Sequence, residues 1–158
     1  MGGRGALGGG GGGNNGKGGK YIQTFTDGET GGKVYTEHGR IDLANKSGGE
    51  MDKYVKEKRV CETLARNGHT IVHLDDTKHT DGTYDILLDG VKGDIKCLSS
   101  SNNIMREGNK AVRKQGASIV VFEFERIDTK VHREINKLSD SGIHGFYFLK
   151  GTKQIQGF

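Results

Sequence analysis

Two acidic residues, Asp85 and Asp94, are placed on neighbouring strands by the turn between them. Asp89-Gly90 stands between two apolar runs, and this dipeptide is preferred in two-residue type I′ hairpin turns. Counting outward from the turn sets Asp85 opposite Asp94. Because directly opposed side chains have Cβ atoms roughly 4.5–5.5 Å apart, two carboxylates there repel each other unless a cation lies between them. The pattern therefore predicts a cation site on this hairpin.

The same turn predicts the rest of the hairpin register. The expected pairs are Leu88 with Val91, Leu87 with Lys92, Ile86 with Gly93, and Thr83 with Lys96. Side chains alternate between the two faces of a strand, which predicts one apolar and one polar face. The expected core face carries Tyr84, Ile86, Leu88, Val91, Ile95 and Cys97, and the opposite face carries Asp85, Asp94 and Lys96.

Lys96 follows Asp94 by two residues and therefore shares a face with both aspartates. One ammonium group does not balance two carboxylates, and hard oxygen ligands at this spacing suit Mg²⁺ or Mn²⁺. The alternative is a polar face that simply meets water. The apolar neighbours of both aspartates weigh against that alternative, since burying an unpaired charge is costly.

Glu57 interrupts the apolar stripe of a helix predicted over residues 51–67. Residues three and four apart share a helix face, so Glu57 is placed toward the sheet. One interpretation is an edge position whose carboxylate reaches water or pairs with Lys53. The other is a third carboxylate delivered to the aspartates. Glu62 competes for that role but points away from the stripe.

The elements that position these residues alternate between helix and strand from residue 49 onward. Helices are predicted at 51–67, 102–115 and 128–138, the last with Asp128 as its N-cap. Strands are predicted at 69–74, 83–88, 91–97, 117–124 and 144–149, with an edge strand at 153–158. The alternating residues 20–25 and 33–37 indicate a short hairpin, or a segment that is ordered only against the main body or a partner.

The composition excludes several classes of protein. The chain has 158 residues, of which 28 are glycine and none proline. No run approaches the ~20 apolar residues of a membrane span, and no secretory signal is expected. Two cysteines, Cys61 and Cys97, are too few for a disulfide scaffold and are expected to be reduced core residues. The histidine spacing does not suit zinc, and the glycine-rich residues 1–19 lack the preceding strand of a phosphate-binding loop.

The helix, the hairpin and the D-x-K spacing together resemble the PD-(D/E)xK nuclease superfamily. Glu57 matches the helical acid, Asp85 the first strand acid, and Asp94-Ile95-Lys96 the D-x-K motif. Tyr84 stands where the family usually has proline. The resemblance implies an α/β fold with a PD-(D/E)xK-like mixed central sheet flanked by helices. It also implies phosphodiester cleavage with Mg²⁺ or Mn²⁺ held by Asp85, Asp94 and Glu57.

A narrower resemblance covers about residues 50–157. In this region the chain is similar to the C-terminal tRNA-nuclease domains of contact-dependent growth inhibition toxins. The similarity rests on Glu57-x3-Cys61, the segments YDILLDG and DIK, and Lys114-Gln115 before a strand. In those toxins a catalytic lysine can come from the helix after the D-x-K strand. Lys114 is therefore a catalytic candidate beside Lys96, with Lys110 in reserve.

The predicted helix at 102–115 adds a basic stripe. Arg106, Lys110, Arg113 and Lys114 recur at helical spacing, and such stripes bind phosphates without reading sequence. The net charge of +4 also favours an anionic partner. A solvated helix face is the alternative.

The expected organisation is a tether over residues 1–19, an N-terminal extension over 20–48, and a nuclease domain over 49–158. The function expected from the resemblance is cleavage of RNA, in particular tRNA. An acidic immunity protein is the implied partner, and no small-molecule cofactor is expected. The implied place of action is the cytoplasm of a bacterial target cell, after delivery within a larger toxin or phage-borne protein. The alternatives are a metal-independent histidine ribonuclease toxin, a non-catalytic nucleic-acid-binding module and a DNA-directed phage nuclease.

Overall fold

An eight-stranded mixed sheet forms the centre of the structure, a computed structural model that describes residues 20–158. The tether predicted for residues 1–19 lies outside the described residues. The strands are β1 (Tyr21–Thr26), β2 (Lys33–Glu37), β3 (Thr70–His73), β4 (Ile86–Leu88), β5 (Val91–Leu98), β6 (Ile119–Phe124), β7 (Gly145–Leu149) and β8 (Gln156–Gly157). The helices are α1 (His38–Ala44), α2 (Gly48–Arg66), α3 (Ile104–Arg113) and α4 (Thr129–Asp140). The predicted mixed α/β class is confirmed.

The strands lie in the sheet in the order in which they occur along the chain. β2 and β3 are parallel, as are β5, β6 and β7, and the remaining neighbours are antiparallel. The hairpin of β1 and β2 is joined to the rest through the parallel pairing of β2 with β3. The N-terminal segment 20–48 thus contributes two strands and α1 to the same sheet-centred unit.

Helices cover both faces of the sheet. On one face α2 packs Val60, Cys61 and Leu64 against β3, β4 and β6. On the other face α3 and α4 bury Ile104, Ala111, Val131, Ile135 and Leu138 against β6 and β7. The predicted N-cap of α4 is confirmed, because the side chain of Asp128 accepts a hydrogen bond from the Val131 amide at 3.0 Å. No helix within residues 20–158 is long and apolar enough to cross a membrane.

The hairpin of β4 and β5 has the predicted turn and register. Asp89 and Gly90 have φ values of 50° and 86°, as a type I′ turn requires. The three predicted pairs nearest the turn are all present: Leu88 with Val91, Leu87 with Lys92, and Ile86 with Gly93. The turn chemistry therefore sets the register over the length of β4.

The expected register fails beyond Ile86, where the strand pairing ends. The predicted strand pair of Asp85 with Asp94 is therefore not formed, and the Asp85 amide donates to the Gly93 carbonyl at 3.0 Å. The predicted pairing of Thr83 with Lys96 is wrong, since the Thr83 amide donates to the Gln115 carbonyl at 3.0 Å instead. Strand alternation no longer applies there, and Tyr84 packs into the core on the α3 side rather than with Ile86 on the α2 side.

Two further residues of the predicted core face are not in the core. Val91 is 42% exposed beside the turn. Cys97 is a free, exposed cysteine near the ion pair between Arg59 and Glu123, so its neighbours are charged rather than apolar. Cys61, by contrast, is buried as predicted.

Candidate functional site

Asp85 and Asp94 lie next to each other at the start of β4. Asp85 immediately precedes β4, and its amide donates to the Gly93 carbonyl at 3.0 Å. Its carboxylate Oδ2 accepts a hydrogen bond from the Ile95 amide at 2.9 Å. Asp94 lies within β5 and is fully buried. The two carboxyl groups are close enough for each to shift the pKa of the other. These two residues are called the acidic pair below.

The pKa of both members of the acidic pair is raised, chiefly by burial. Burial raises the pKa of Asp85 well above its usual range, and the charges of Glu57 and Asp94 raise it further. Burial also raises the pKa of Asp94, although hydrogen bonding with Asp85 and the charge of Lys96 oppose this effect. Both shifts have the direction expected where carboxylates crowd together without enough positive charge.

Lys96 is the cation that the structure brings to the acidic pair. Its Nζ lies 3.0 Å from Oδ2 of Asp94 and donates to Oε1 of Gln115 at 2.7 Å. Oε1 of Glu107 lies 3.5 Å away. The predicted placement of Lys96 on the face of Asp94 is thus observed. Gln115 and Glu107 were not among the predicted site residues, because nothing in the strand pattern links α3 to this point of the sheet.

Glu57 lies on α2 within a set of cationic and polar side chains. It is 6% exposed, and His73 Nε2 lies 2.8 Å from its Oε1. Arg40 Nε contacts the same oxygen at 3.4 Å, and Lys53 Nζ lies 3.9 Å from Oε2. Burial acts to raise the pKa of Glu57, but the hydrogen bond with His73 and the charges of His73, Lys53 and Arg40 lower it. Glu57 is therefore held ionised. These four residues are called the Glu57 cluster below.

The structure brings Glu57 near the acidic pair and also pairs it with Lys53, so each interpretation of the interrupted helix stripe describes part of what is observed. Its charge raises the pKa of both Asp85 and Asp94. Sequence reasoning missed two of its partners. His73 was detectable as a polar residue in a buried strand, whereas Arg40 lies in α1, a helix that was not predicted.

The acidic pair offers oxygen ligands for a divalent cation. Oδ2 of Asp94 is buried, and Lys96 Nζ lies 3.0 Å from it. Within residues 20–158, no three or more His, Cys, Asp or Glu side chains form a metal cage on their own. Proteins usually hold Mg²⁺ with one or two carboxylates, while water and substrate phosphates complete the shell. The acidic pair fits that mode of binding, with Glu57 as a third acid nearby.

The predicted basic stripe lines an open groove along α3. Its volume is about 500 Å³, and its lining residues are Arg106, Glu107, Asn109, Lys110, Arg113 and Lys114. This surface is called the basic groove below. Glu107 belongs both to the groove and to the contacts of Lys96. Lys114 is exposed and makes no ion pair with the acidic pair among the described residues, so the two candidate lysines occupy different places.

The histidines are spread over the described structure. His73 is completely buried in the Glu57 cluster, His69 binds Asp89 at the hairpin turn, and His79 stacks on Tyr84. Among the histidines of residues 20–158, His73 alone forms a hydrogen bond with Glu57, Asp85 or Asp94.

Comparison with known proteins supports the fold. No family model and no curated protein matches the chain. Among solved structures, a chain of the "CdiA-CT/CdiI toxin and immunity complex from Burkholderia pseudomallei" matches with a TM-score of 0.51 and 20% sequence identity. The match covers 66% of this chain and 82% of that chain. At this identity the likeness shows a shared fold, one found in contact-dependent growth inhibition systems.

Proposed function

We propose that this chain is the toxin domain of a contact-dependent growth inhibition-like system and acts as a metal-dependent nuclease of the PD-(D/E)xK type on RNA, with tRNA as the substrate. The observation that carries the proposal is that two buried carboxylates, Asp85 and Asp94, lie side by side with Lys96 next to them. The pKa of both carboxyl groups is raised, and Lys96 Nζ lies 3.0 Å from Oδ2 of Asp94. Adjacent buried carboxylates are costly to ionise, and a bound divalent cation would offset that cost.

In this proposal Asp85 and Asp94 hold Mg²⁺ or Mn²⁺. When bound, the ion would offset the negative charge that develops on the phosphate and would lower the pKa of a bound water. Lys96 adds a fixed positive charge that stabilises the same phosphate oxygens or orients the attacking water. Glu57, held ionised by its cluster, is positioned to accept a proton or to bind a metal water.

The basic groove supplies substrate binding in the proposal. Arg106, Lys110, Arg113 and Lys114 line one continuous surface, and Glu107 connects that surface to Lys96. Contacts to phosphates from such a surface give affinity without base specificity. A backbone bound along α3 would therefore pass beside the acidic pair. In this proposal Lys96 or Lys114 contacts the scissile phosphate, and the other lysine contacts a neighbouring one.

The same charge pattern suggests the partner and the setting. A basic surface beside an active site is complementary to an acidic protein that covers it, so we propose an acidic immunity protein. The protein would act in the cytoplasm of a bacterial target cell, after delivery within a larger toxin or phage-borne protein. The likeness to a toxin–immunity complex supports this setting.

Incubation with total tRNA, in Mg²⁺, in Mn²⁺ and in EDTA, tests the proposal. We expect cleavage in either metal, none in EDTA, and none by Asp94→Ala. Asp140→Ala is the matched control, because Asp140 is exposed at the end of α4. Parallel reactions contain double-stranded DNA. Cleavage by Asp94→Ala at the wild-type rate would overturn the assignment of the site.

The same reactions separate the alternatives. Cleavage that persists in EDTA would indicate a metal-independent histidine ribonuclease. Intact RNA that shifts in a gel would indicate a binding module. Cleavage of DNA alone would indicate a DNA-directed nuclease.

A further inference from the structure

Gln115 lies where α3 ends and contacts both charged members of the D-x-K motif. Its Oε1 accepts a hydrogen bond from Lys96 Nζ at 2.7 Å. Its Nε2 donates to Oδ1 of Asp94 at 3.4 Å. Lys96 Nζ in turn lies 3.0 Å from Oδ2 of Asp94. The three side chains thus form a closed ring of contacts around one carboxylate.

The backbone of Gln115 is fixed by a close approach of two chain segments. Its carbonyl accepts a hydrogen bond from the Thr83 amide at 3.0 Å. A Cβ atom on Gly82 would lie 2.4 Å from that carbonyl, and one on Gly116 would lie 2.7 Å from the carbonyl of Asp81. Glycine at both positions permits this approach. The Gln115 side chain therefore starts from a defined point beside the acidic pair.

We propose that Gln115 is a positioning residue for the metal site. A primary amide carries a donor and an acceptor, so one side chain can bind a carboxylate and an ammonium at once. By binding Oδ1, Gln115 fixes the orientation of the Asp94 carboxylate and therefore the direction in which Oδ2 faces. By binding Lys96, it holds the ammonium beside that same oxygen. This inference rests on the proposed function.

Glu107 provides a contrast within the same helix. It contacts Lys96 at 3.5 Å but makes no hydrogen bond to Asp94 in the described structure. Glu107 therefore influences the lysine alone, while Gln115 acts on the lysine and the metal ligand together. Partners that orient a metal ligand typically change metal affinity or activity 10- to 100-fold when they are removed.

The test replaces Gln115 by Met, which has a similar length but neither the donor nor the acceptor. Gln115→Asn is the second variant, in which the amide is kept on a shorter side chain. Gln154→Met is the control, because Gln154 is exposed just before β8. Mn²⁺ binding is measured by titration calorimetry without RNA, and kcat and KM are measured with tRNA.

We expect Gln115→Met to weaken Mn²⁺ binding about 10- to 100-fold and to lower kcat by a similar factor. KM for tRNA should stay near the wild-type value, because the basic groove is unchanged. Gln115→Asn should show a loss in the same direction, and Gln154→Met should behave like the wild type in every measurement.

Wild-type Mn²⁺ affinity and kcat in Gln115→Met would overturn the inference. So would a loss of activity that only follows a lower melting temperature, with Mn²⁺ affinity of the folded protein unchanged. Asp94→Ala distinguishes a failure of the proposed nuclease function from a failure of the positioning role of Gln115. If Asp94→Ala still cleaves, the proposed function fails, whereas an inactive Asp94→Ala beside a normal Gln115→Met rejects the positioning role alone.

Discussion

Replacing Asp85 by Asn should stabilise the protein in EDTA while abolishing cleavage. The substitution removes one of two neighbouring buried carboxylates. Its amide oxygen can still accept the hydrogen bond from Ile95, and its new amide N–H can donate to Asp94. Under the proposed function, catalysis and stability therefore make opposite demands on this position.

The size of the gain follows from the charge interaction. Two like unit charges about 5 Å apart repel each other by roughly 3 kcal/mol at an effective dielectric constant of about 20. Proton uptake by Asp85 relieves part of this repulsion, so we expect a gain of about 1–3 kcal/mol in the free energy of unfolding at pH 7. For a chain of this size, that gain raises the melting temperature by about 3–10 °C.

The stabilisation by Asp85→Asn depends on pH. The folded-state pKa of Asp85 is raised above its ordinary value of 3.8. The loss of folding stability caused by ionised Asp85 is therefore absent below that ordinary value. It grows as the pH rises and is complete above the raised pKa. The stabilisation by Asp85→Asn should be largest at neutral pH and should disappear near pH 3.

Thermal unfolding in EDTA, followed by circular dichroism between pH 3 and 8, measures this effect. Asp81→Asn is the matched control, because Asp81 is exposed and its pKa is lowered by a hydrogen bond with Lys92. That variant should gain nothing at neutral pH. An Asp85→Asn melting temperature equal to or below the wild-type value at pH 7, or a gain that persists unchanged at pH 3, would refute the reasoning.

Three further substitutions test other parts of the structure. Glu57→Gln should lower the free energy of unfolding in urea by about 3–5 kcal/mol, because it removes the carboxylate charge nearest to the buried guanidinium of Arg40 and leaves only the more distant Glu50; a loss below 1 kcal/mol would contradict the described cluster. Lys114→Ala should make tRNA binding less sensitive to salt and leave Mn²⁺ affinity unchanged. The slope of the logarithm of the binding constant against the logarithm of the salt concentration should become smaller in magnitude by about 1. An unchanged slope would show that Lys114 does not contribute to the binding surface. Asp128→Ala should cost about 0.5–2 kcal/mol by thermal unfolding, because it removes the N-cap of α4; no loss would show that the cap contributes nothing.

Local chemistry explains why the hairpin was predictable. The Asp89-Gly90 turn requires positive φ at both positions, and few dipeptides satisfy that requirement as well. The turn then sets the pairs up to Ile86 without help from the rest of the chain. Glu57 was detectable for a similar reason, since a carboxylate on an apolar helix stripe conflicts with the local pattern.

Contacts between distant segments explain what the sequence did not predict. Thr83 leaves the sheet because it binds Gln115, a residue 32 positions later whose place depends on α3. Arg40 reaches Glu57 from a helix that follows β2, and no local pattern relates the two residues. The roles proposed for the acids, the lysines and the metal remain predictions for the experiments above.

The parallel pairing of β2 with β3 has a consequence for any shortened version of the chain. α1 follows β2 directly and carries Arg40, which is almost completely buried against Glu57. A fragment that begins at residue 49 would keep the two aspartates and Lys96, yet it would lose the guanidinium that helps to keep Glu57 charged. A unit that retains this ionisation state therefore includes α1 together with β2, the strand that precedes it.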